Sequence, residues 1–362
     1  MNLQADVCIV GGGPAGTLLG HLLAKNGVST IVIERSAGVN RQFRGEHINA
    51  ETEAILKEHK LFEKIEELGI LKMKKVEYYS GRNMVKSISP GVHEDHVGIH
   101  VPQAHLLNAI IQETEHNNQF QLLFNTTVKE LIQDEQGIYT GVKALQNGEE
   151  ITISCKVTIG ADGRYSTVRK LAKIPTIEMT HGYDVLWAKI PAPEGWEPTT
   201  RMALVNGHQL ALFSQTGGFI QIGWNIPEGS FPTLRKGSIQ PFLEPLIESF
   251  PELEDGVREH LQSWSDFVCL KVQSSRCETW VEDGLILIGD AAHTMTPTGA
   301  IGINCGMKDA HILAPILTKA IMENNIRSEH LKVFEMNRRN EIKSQQIMQV
   351  KQETTFYEKF VG

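Results

Sequence analysis

The 362-residue sequence predicts an α/β chain: a parallel, doubly wound sheet interleaved with a second, mostly antiparallel sheet, followed by C-terminal helices. Three observations predict it. Residues 6–34, DVCIVGGGPAGTLLGHLLAKNGVSTIVIE, read as strand, glycine turn, helix and strand. Segments 157–170 and 285–310 each repeat a strand that closes on small residues before a helix. Between 182 and 270 the chain changes to longer strands rich in aromatic residues. Strand and helix alternating builds a parallel sheet, whereas runs of strands build antiparallel ones.

In order along the chain, LFEKIEELGILK (61–72) reads as a helix end and KVEYYSGRNMVKSISP (75–90) as a strand pair turning at Gly81. In VPQAHLLNAIIQETE (101–115), Leu106, Leu107, Ile110 and Ile111 fall on one helical face. Short alternating strands follow in FQLLFNTTVKELIQ, IYTGVKALQ and EITISCKVTIGADG. The second sheet takes VLWAKI, QLALFSQ, GFIQIGWNI and FVCLKV, with a helical interval at 238–262. GLILIGDAAH returns to the first sheet, and helices over 304–323 and 329–358 end the chain. The predicted division is a first domain of 1–75, 100–180 and 272–325, a second of 76–99 and 181–271, and a C-terminal helix in 326–362.

The glycine turn has a direct physical reading. Gly11 permits the tight turn, Gly13 lets backbone approach a pyrophosphate, and Gly16 lets the helix pack on the sheet. Pro14 and Ala15 open that helix, whose unpaired N–H groups and positive dipole end suit phosphate. Glu34, 18 positions after Gly16, stands where a carboxylate accepts hydrogen bonds from adenosine ribose hydroxyls. The unit is Rossmann-like and predicts binding of an ADP-containing nucleotide; the alternative is the same unit left empty.

With 35 basic and 43 acidic residues the net charge is −8, and no basic cluster occurs, so nucleic acid is not an expected partner. Cys8, Cys155, Cys269, Cys277 and Cys305 include no C-x-x-C pair, which argues for reduced thiols and against structural zinc. No apolar run approaches the ~18 residues of a membrane span, and the first strand begins too early for a signal peptide. The expected location is the cytoplasm.

The GADG turn at 160–163, and GDAAH followed by Pro297, Thr298, Gly299, Ala300, Gly302 and Asn304, decide which nucleotide is expected. Together with the N-terminal turn they resemble the single-component flavoprotein aromatic hydroxylases, typified by para-hydroxybenzoate hydroxylase and including ubiquinone-biosynthesis hydroxylases. The resemblance implies an FAD-binding first domain and a substrate-binding second one. It implies that Asp290 meets the ribityl chain, that Gly299, Gly302, Ile303 and Asn304 wrap the flavin pyrimidine edge, and that Pro297 lies beside the oxygen-reacting face, the one catalytic position implied. It also implies FAD contacts for Arg44, in RQFRGEH, and for Gln103, in VPQAH, and links Asp162, with Arg169 behind it, to FAD and NAD(P)H. Arg35, next to Glu34, is counted with the nucleotide contacts, although Arg35 could be simply solvated and Arg41 could replace Arg44. Asp162 and Asp290 could instead cap the helices that follow them, and His293 is read as structural.

The implied reaction is hydroxylation of an aromatic small molecule by O2 and NADH or NADPH through a flavin C4a-hydroperoxide, with no metal required. The substrate side departs from the benzoate hydroxylases. No arginine lies between Arg201 and Arg235, and no tyrosine between Tyr183 and Tyr357, so an anionic benzoate and a tyrosine proton relay are disfavoured. Phe213, Phe219 and Trp224 are the candidate substrate contacts, with sheet core as their alternative role, and His208, His181 or water the candidate proton acceptors. Alternation puts Phe219, Gln221 and Gly223 on one face and Ile220, Ile222 and Trp224 on the other, of which one can meet a substrate. A flavin reductase or halogenase, or a non-catalytic redox sensor, is the competing reading; GWNIP at 223–227 partly matches a halogenase motif.

Overall fold

The computed structural model describes residues 1–39 and 46–360. The elements that position the site run Val7–Val10 (β1), Pro14–Lys25 (α1), Thr30–Ile33 (β2), Ala50–Glu58 (α2), Lys75–Ser80 (β3), Asn83–Ile88 (β4), Gln103–Thr114 (α3), Phe120–Leu123 (β5) and Val157–Gly160 (β6). They continue with Thr167–Leu171 (α4), Thr176–Pro191 (β7), Thr199–Val205 (β8), His208–Gln215 (β9), Phe219–Pro227 (β10), Gln240–Ser249 (α5), Glu254–His260 (α6), Val268–Cys277 (β11), Leu285–Leu287 (β12), Gly302–Met322 (α7) and Ser328–Thr354 (α8).

The chain divides into two compact units, one of Met1–Leu68, Gln103–Met179 and Ser274–Met348, the other of Gly69–Pro102, Thr180–Gln273 and Gln349–Gly362. The C-terminal helix, set apart as 326–362 in the predicted division, contributes to both units. Its first part is drawn into the first unit by specific bonds: Arg338 reaches Asp309, Arg339 reaches the Cys277 carbonyl, and Gln346 reaches the carbonyls of Ser275 and Thr294. In the second unit, Glu353 bonds His181 and Tyr183, and Tyr357 reaches the Gly207 carbonyl.

In the first unit the sheet order is β12-β6-β1-β2-β5, all parallel, with Val281–Glu282 antiparallel on the outer edge of β12. Every residue of β1, β2 and β6 is buried, as expected of parallel strands covered on both faces. β1 leads through α1 to β2 on one side, while β6 pairs on its other side. That is the strand-order reversal where an open α/β sheet binds its ligand at the carboxyl ends.

The second unit is built on the strand order β11-β7-β10-β9-β8-β3-β4, antiparallel from β7 to β8, parallel between β8 and β3, and antiparallel between β3 and β4. One sheet face, with Leu186, Ile190, Leu212, Ile222 and Trp224, joins Leu243, Leu246 and Val257 of α5 and α6 in one apolar core. At about 1.5 to 3 kcal/mol for each large side chain buried, this layer is the main stabilising contribution of the unit.

Candidate functional site

β1 delivers Gly11 to the carboxyl edge of the sheet with a positive φ of 114°. A Cβ added at Gly11 would lie 2.4 Å from the Ala161 carbonyl oxygen, and one at Gly16 would lie 2.0 Å from the Gly11 carbonyl oxygen. Both positions admit only glycine because backbone passes backbone there. Gly13 differs, since a Cβ there would meet nothing within 4 Å. Among the described residues no side chain caps α1, no acidic residue occupies its first turn, and Pro14 has no N–H. The N–H groups of Ala15 and Gly16 therefore point off the helix end beside an open space. Glu34, 4% exposed, accepts the Gly12 N–H at 2.9 Å on Oε2 and the Ser36 N–H at 2.9 Å on Oε1. A carboxylate in that position is the acceptor type that suits ribose hydroxyls. Arg35 is exposed, and Arg44 lies outside the described residues.

Three turns far apart in sequence meet at this edge. The Cβ position of Gly11 is 2.8 Å from the Asp162 Cα, and that of Gly289 is 3.5 Å from the Ala15 Cβ. Asp290 Oδ1 lies 3.9 Å from the Cβ position of Gly302, at the start of α7. Arg169 clamps the second turn to the third by donating to the Arg164 and Ala291 carbonyls, each at 2.8 Å. The Asp162 carboxylate, however, is directed at α4: Oδ2 accepts the N–H groups of Thr167 and Val168, and Oδ1 accepts the Ser166 hydroxyl. This is the helix-capping alternative, and what the Asp162 turn offers the cleft is backbone.

The third turn is held from behind by a buried ionic network. Asp309 Oδ2 accepts the Gly289 N–H at 2.8 Å and bonds His293 Nε2 at 2.6 Å, while Oδ1 accepts Arg338 Nε at 2.7 Å. Asp309 and Arg338 are both 0% exposed. Burial works to raise the Asp309 carboxyl, but His293 and Arg338 outweigh it and hold it below the ordinary aspartate range. His293 is thus turned inward, its ring 4.9 Å from that of Trp280.

Beyond this turn, Pro297 precedes a short 3₁₀ turn in which Gly299 and Ala300 both have positive φ, 74° and 52°. The α7 helix starts at Gly302 with no side-chain cap among the described residues and no acid in its first turn, so the N–H groups of Gly302 and Ile303 and its positive end suit a ligand. Asn304 is a hub that the sequence reading missed as a side chain. Its Oδ1 accepts the Asn49 N–H, and its Nδ2 donates to the carbonyls of His47 and Ala300, all at 3.0 Å. Gln103 is buried at the start of α3, where its N–H donates to Glu46 at 3.2 Å. The open space before Gly13, the two uncapped helix ends and the acid at Glu34 fit the phosphate, ribose and electron-poor ring edge of a flavin dinucleotide.

In the second unit the three aromatic candidates separate. Trp224, 2% exposed, is a core residue with its ring 4.1 Å from Phe242, so it belongs to the packed face. That corrects its assignment to the substrate side; the face whose even-numbered β10 residues point inward is the one covered by α5 and α6. Phe213 and Phe219 point to the other face, because they alternate with core residues Leu212 and Ile220. Trp187 joins Phe213 there at 6.1 Å, and its ring occupies the notch that Gly223 leaves, 2.5 Å from where a Cβ would stand. Lys189, also overlooked, lies 4.3 Å over the 38%-exposed Phe219 ring. Of the proposed proton acceptors, His208 is exposed, whereas His181 bonds Glu353 at 2.7 Å and Tyr183 donates to the same carboxylate at 2.9 Å.

A family model described as "FAD binding domain" matches residues 4–348. The chain is 32% identical over 355 residues to 6-methylpretetramide 4-monooxygenase of Streptomyces rimosus, covering 96% of this chain and 84% of that protein. It is 27% identical over 352 residues to digeranylgeranylglycerophospholipid reductase of Methanocaldococcus jannaschii, covering 92% and 82%. Among solved structures, PqsL of P. aeruginosa in complex with 2-aminobenzoylacetate superposes with a TM-score of 0.84 at 17% identity, covering 98% of this chain and 97% of that one.

Proposed function

From the premise that the chain belongs to the FAD binding domain family and is an FAD-dependent monooxygenase, we propose that it spends NADH or NADPH and O2 to hydroxylate a mainly apolar aromatic or heteroaromatic small molecule. The balance is one ring C–H, O2, NAD(P)H and a proton in; one ring C–OH, NAD(P)⁺ and water out. Bound FAD supplies the redox chemistry, accepting two electrons from the nicotinamide and activating oxygen.

The residues of the chain do the rest. The α1 N-terminus beside Gly13 would bind the pyrophosphate, a contribution of about 0.3 to 2 kcal/mol from the helix end. Glu34 would accept ribose hydroxyls, and its charge would repel a 2′-phosphate. Asp290 stands beside the first turn of α7, placed to hold a polyol chain, and the uncapped N–H groups of Gly302 and Ile303 would favour negative charge at the ring edge. Trp187 and Phe213 offer stacking area for a planar substrate, with Lys189 on the same face for a modest negative substituent. His181, held by Glu353, is the candidate acceptor for a phenolic proton.

The observation that carries this reading is the meeting of the Gly11, Asp162 and Gly289 turns at one sheet edge. The monooxygenase of S. rimosus at 32% identity supports oxygen insertion, while the archaeal reductase at 27% favours double-bond reduction as the second reading. Purified FAD-loaded protein, mixed with NADH or NADPH and a panel of phenols and quinolones, is expected to show substrate-stimulated oxygen uptake matched by hydroxylated product. Peroxide alone with good ligands, or anaerobic reduction of an isoprenoid double bond, would overturn it.

A further inference from the structure

We propose that Glu58, His59 and His311 form a binding site for a single divalent transition-metal ion of the Zn2+ and Cu2+ class, stapling the C-terminal end of α2 to the middle of α7. The donors are 252 positions apart, and for that reason no ligand spacing is visible in the sequence. His59 Nε2 and His311 Nδ1 lie 3.0 Å apart, and the rings are tilted by 61° rather than stacked. One ligand atom from each of the three residues lies within 4.8 Å of the others.

Those distances are close to what a bound ion needs. At metal–nitrogen bonds of about 2.0 to 2.1 Å, two imidazoles on a tetrahedral ion stand about 3.3 Å apart. The rings need only separate by a few tenths of an ångström. Glu58 is exposed and can swing inward, whereas both histidines are half-buried, His59 just past the end of α2 and His311 within α7. His59 is fixed as the C-cap of α2, its N–H bonded to the Ile55 carbonyl at 3.1 Å, with Lys60 turning away at a φ of 63°. Burial lowers the His59 imidazole, and His311 lowers it further, which favours the neutral form that binds metals. Two imidazoles and one carboxylate suit zinc, copper or nickel over magnesium or calcium, and leave a fourth position to water.

The staple would complete a clamp that the structure already half provides. The opposite end of α2 is held to α7 through Asn304, which accepts the Asn49 N–H at 3.0 Å. An ion at His59 and His311 adds the second point.

The test uses FAD-loaded protein stripped with a chelator. Calorimetric titration with Zn2+ is expected to show one saturable site, weakened by about tenfold or more in His59→Gln and in His311→Gln, and less in Glu58→Gln. The electron paramagnetic resonance of bound Cu2+ is expected to report two nitrogen ligands, falling to one in either histidine variant, and Zn2+ is expected to raise the unfolding temperature of the parent only. Flavin content checks that the variants fold. Absence of saturable Zn2+ uptake by the parent, or uptake and nitrogen count unchanged in both histidine variants, would overturn the site and leave His59 and His311 as a plain hydrogen-bonded pair.

Discussion

At Gly13 an added methyl would stand in open space, whereas at Gly16, three residues on, it would lie 2.0 Å from the Gly11 carbonyl oxygen. The two substitutions therefore separate binding from folding. Gly13→Ala is expected to leave stability without FAD within about 0.5 kcal/mol of the parent while weakening FAD binding. Gly16→Ala is expected to cost about 1 to 3 kcal/mol by overpacking, in urea unfolding of the same flavin-free protein. Asp309 carries more. Asp309→Asn removes the buried carboxylate shared by Arg338 and His293, leaving Arg338 with Glu341 as its remaining carboxylate, and is expected to cost up to about 3 to 5 kcal/mol, read from urea unfolding and accompanied by loss of flavin. A third residue sets a pH dependence. His21 Nδ1 bonds Thr114 Oγ1 at 2.7 Å, and that hydroxyl itself donates to the Ile110 carbonyl, so Nδ1 carries the proton, and buried Nε2 has no partner among the described residues. Burial, helped by Lys25, lowers His21 from 6.5 to about 4. Between those values the unfolded chain binds the extra proton and the fold does not. The His21 contribution is thus full above pH 6.5 and lost as pH falls toward 4; unfolding midpoints across that window should flatten in His21→Gln.

Elements explain which of these residues could be read in advance. Gly11 and Gly16 were legible because their demand is local: a strand, a tight turn and a helix in register leave no other residue type at those two positions. Asp162 was ambiguous for an equally local reason. An acid before a helix can face a ligand or the helix, and here the N–H groups of Thr167 and Val168 take it. Alternation in β10 separated Trp224 from Phe219 correctly, but which face is packed is decided by α5 and α6, whose positions no strand pattern contains. Trp224→Ala is accordingly expected to cost about 3 to 5 kcal/mol with little direct effect on substrate. Phe213→Ala, on the opposite face, is expected to raise KM in steady-state assays with flavin content unchanged. Asn304 was named for the flavin edge, while its side chain serves the His47, Asn49 and Ala300 backbone from the first turn of α7. Those partners lie up to 257 positions away.

At the scale of the whole molecule, the order of segments was legible and the ownership of the last helix was not. A helix with charges on most faces gives no sign that Arg338 will be fully buried against Asp309. Removing residues after Asn325 takes away Arg338 and is expected to abolish cooperative unfolding, as followed by circular dichroism. Each unit collects three separate stretches of chain, and the first is finished only by Ser274–Met348. At roughly 5 to 20 residues per second, a ribosome needs about 20 to 70 s to make this chain. For most of that time the nascent protein holds apolar strands whose partners are not yet synthesised. Neither half can mature ahead of the other, so production in cells should depend on chaperone capacity and temperature during translation far more than the finished enzyme's stability would suggest.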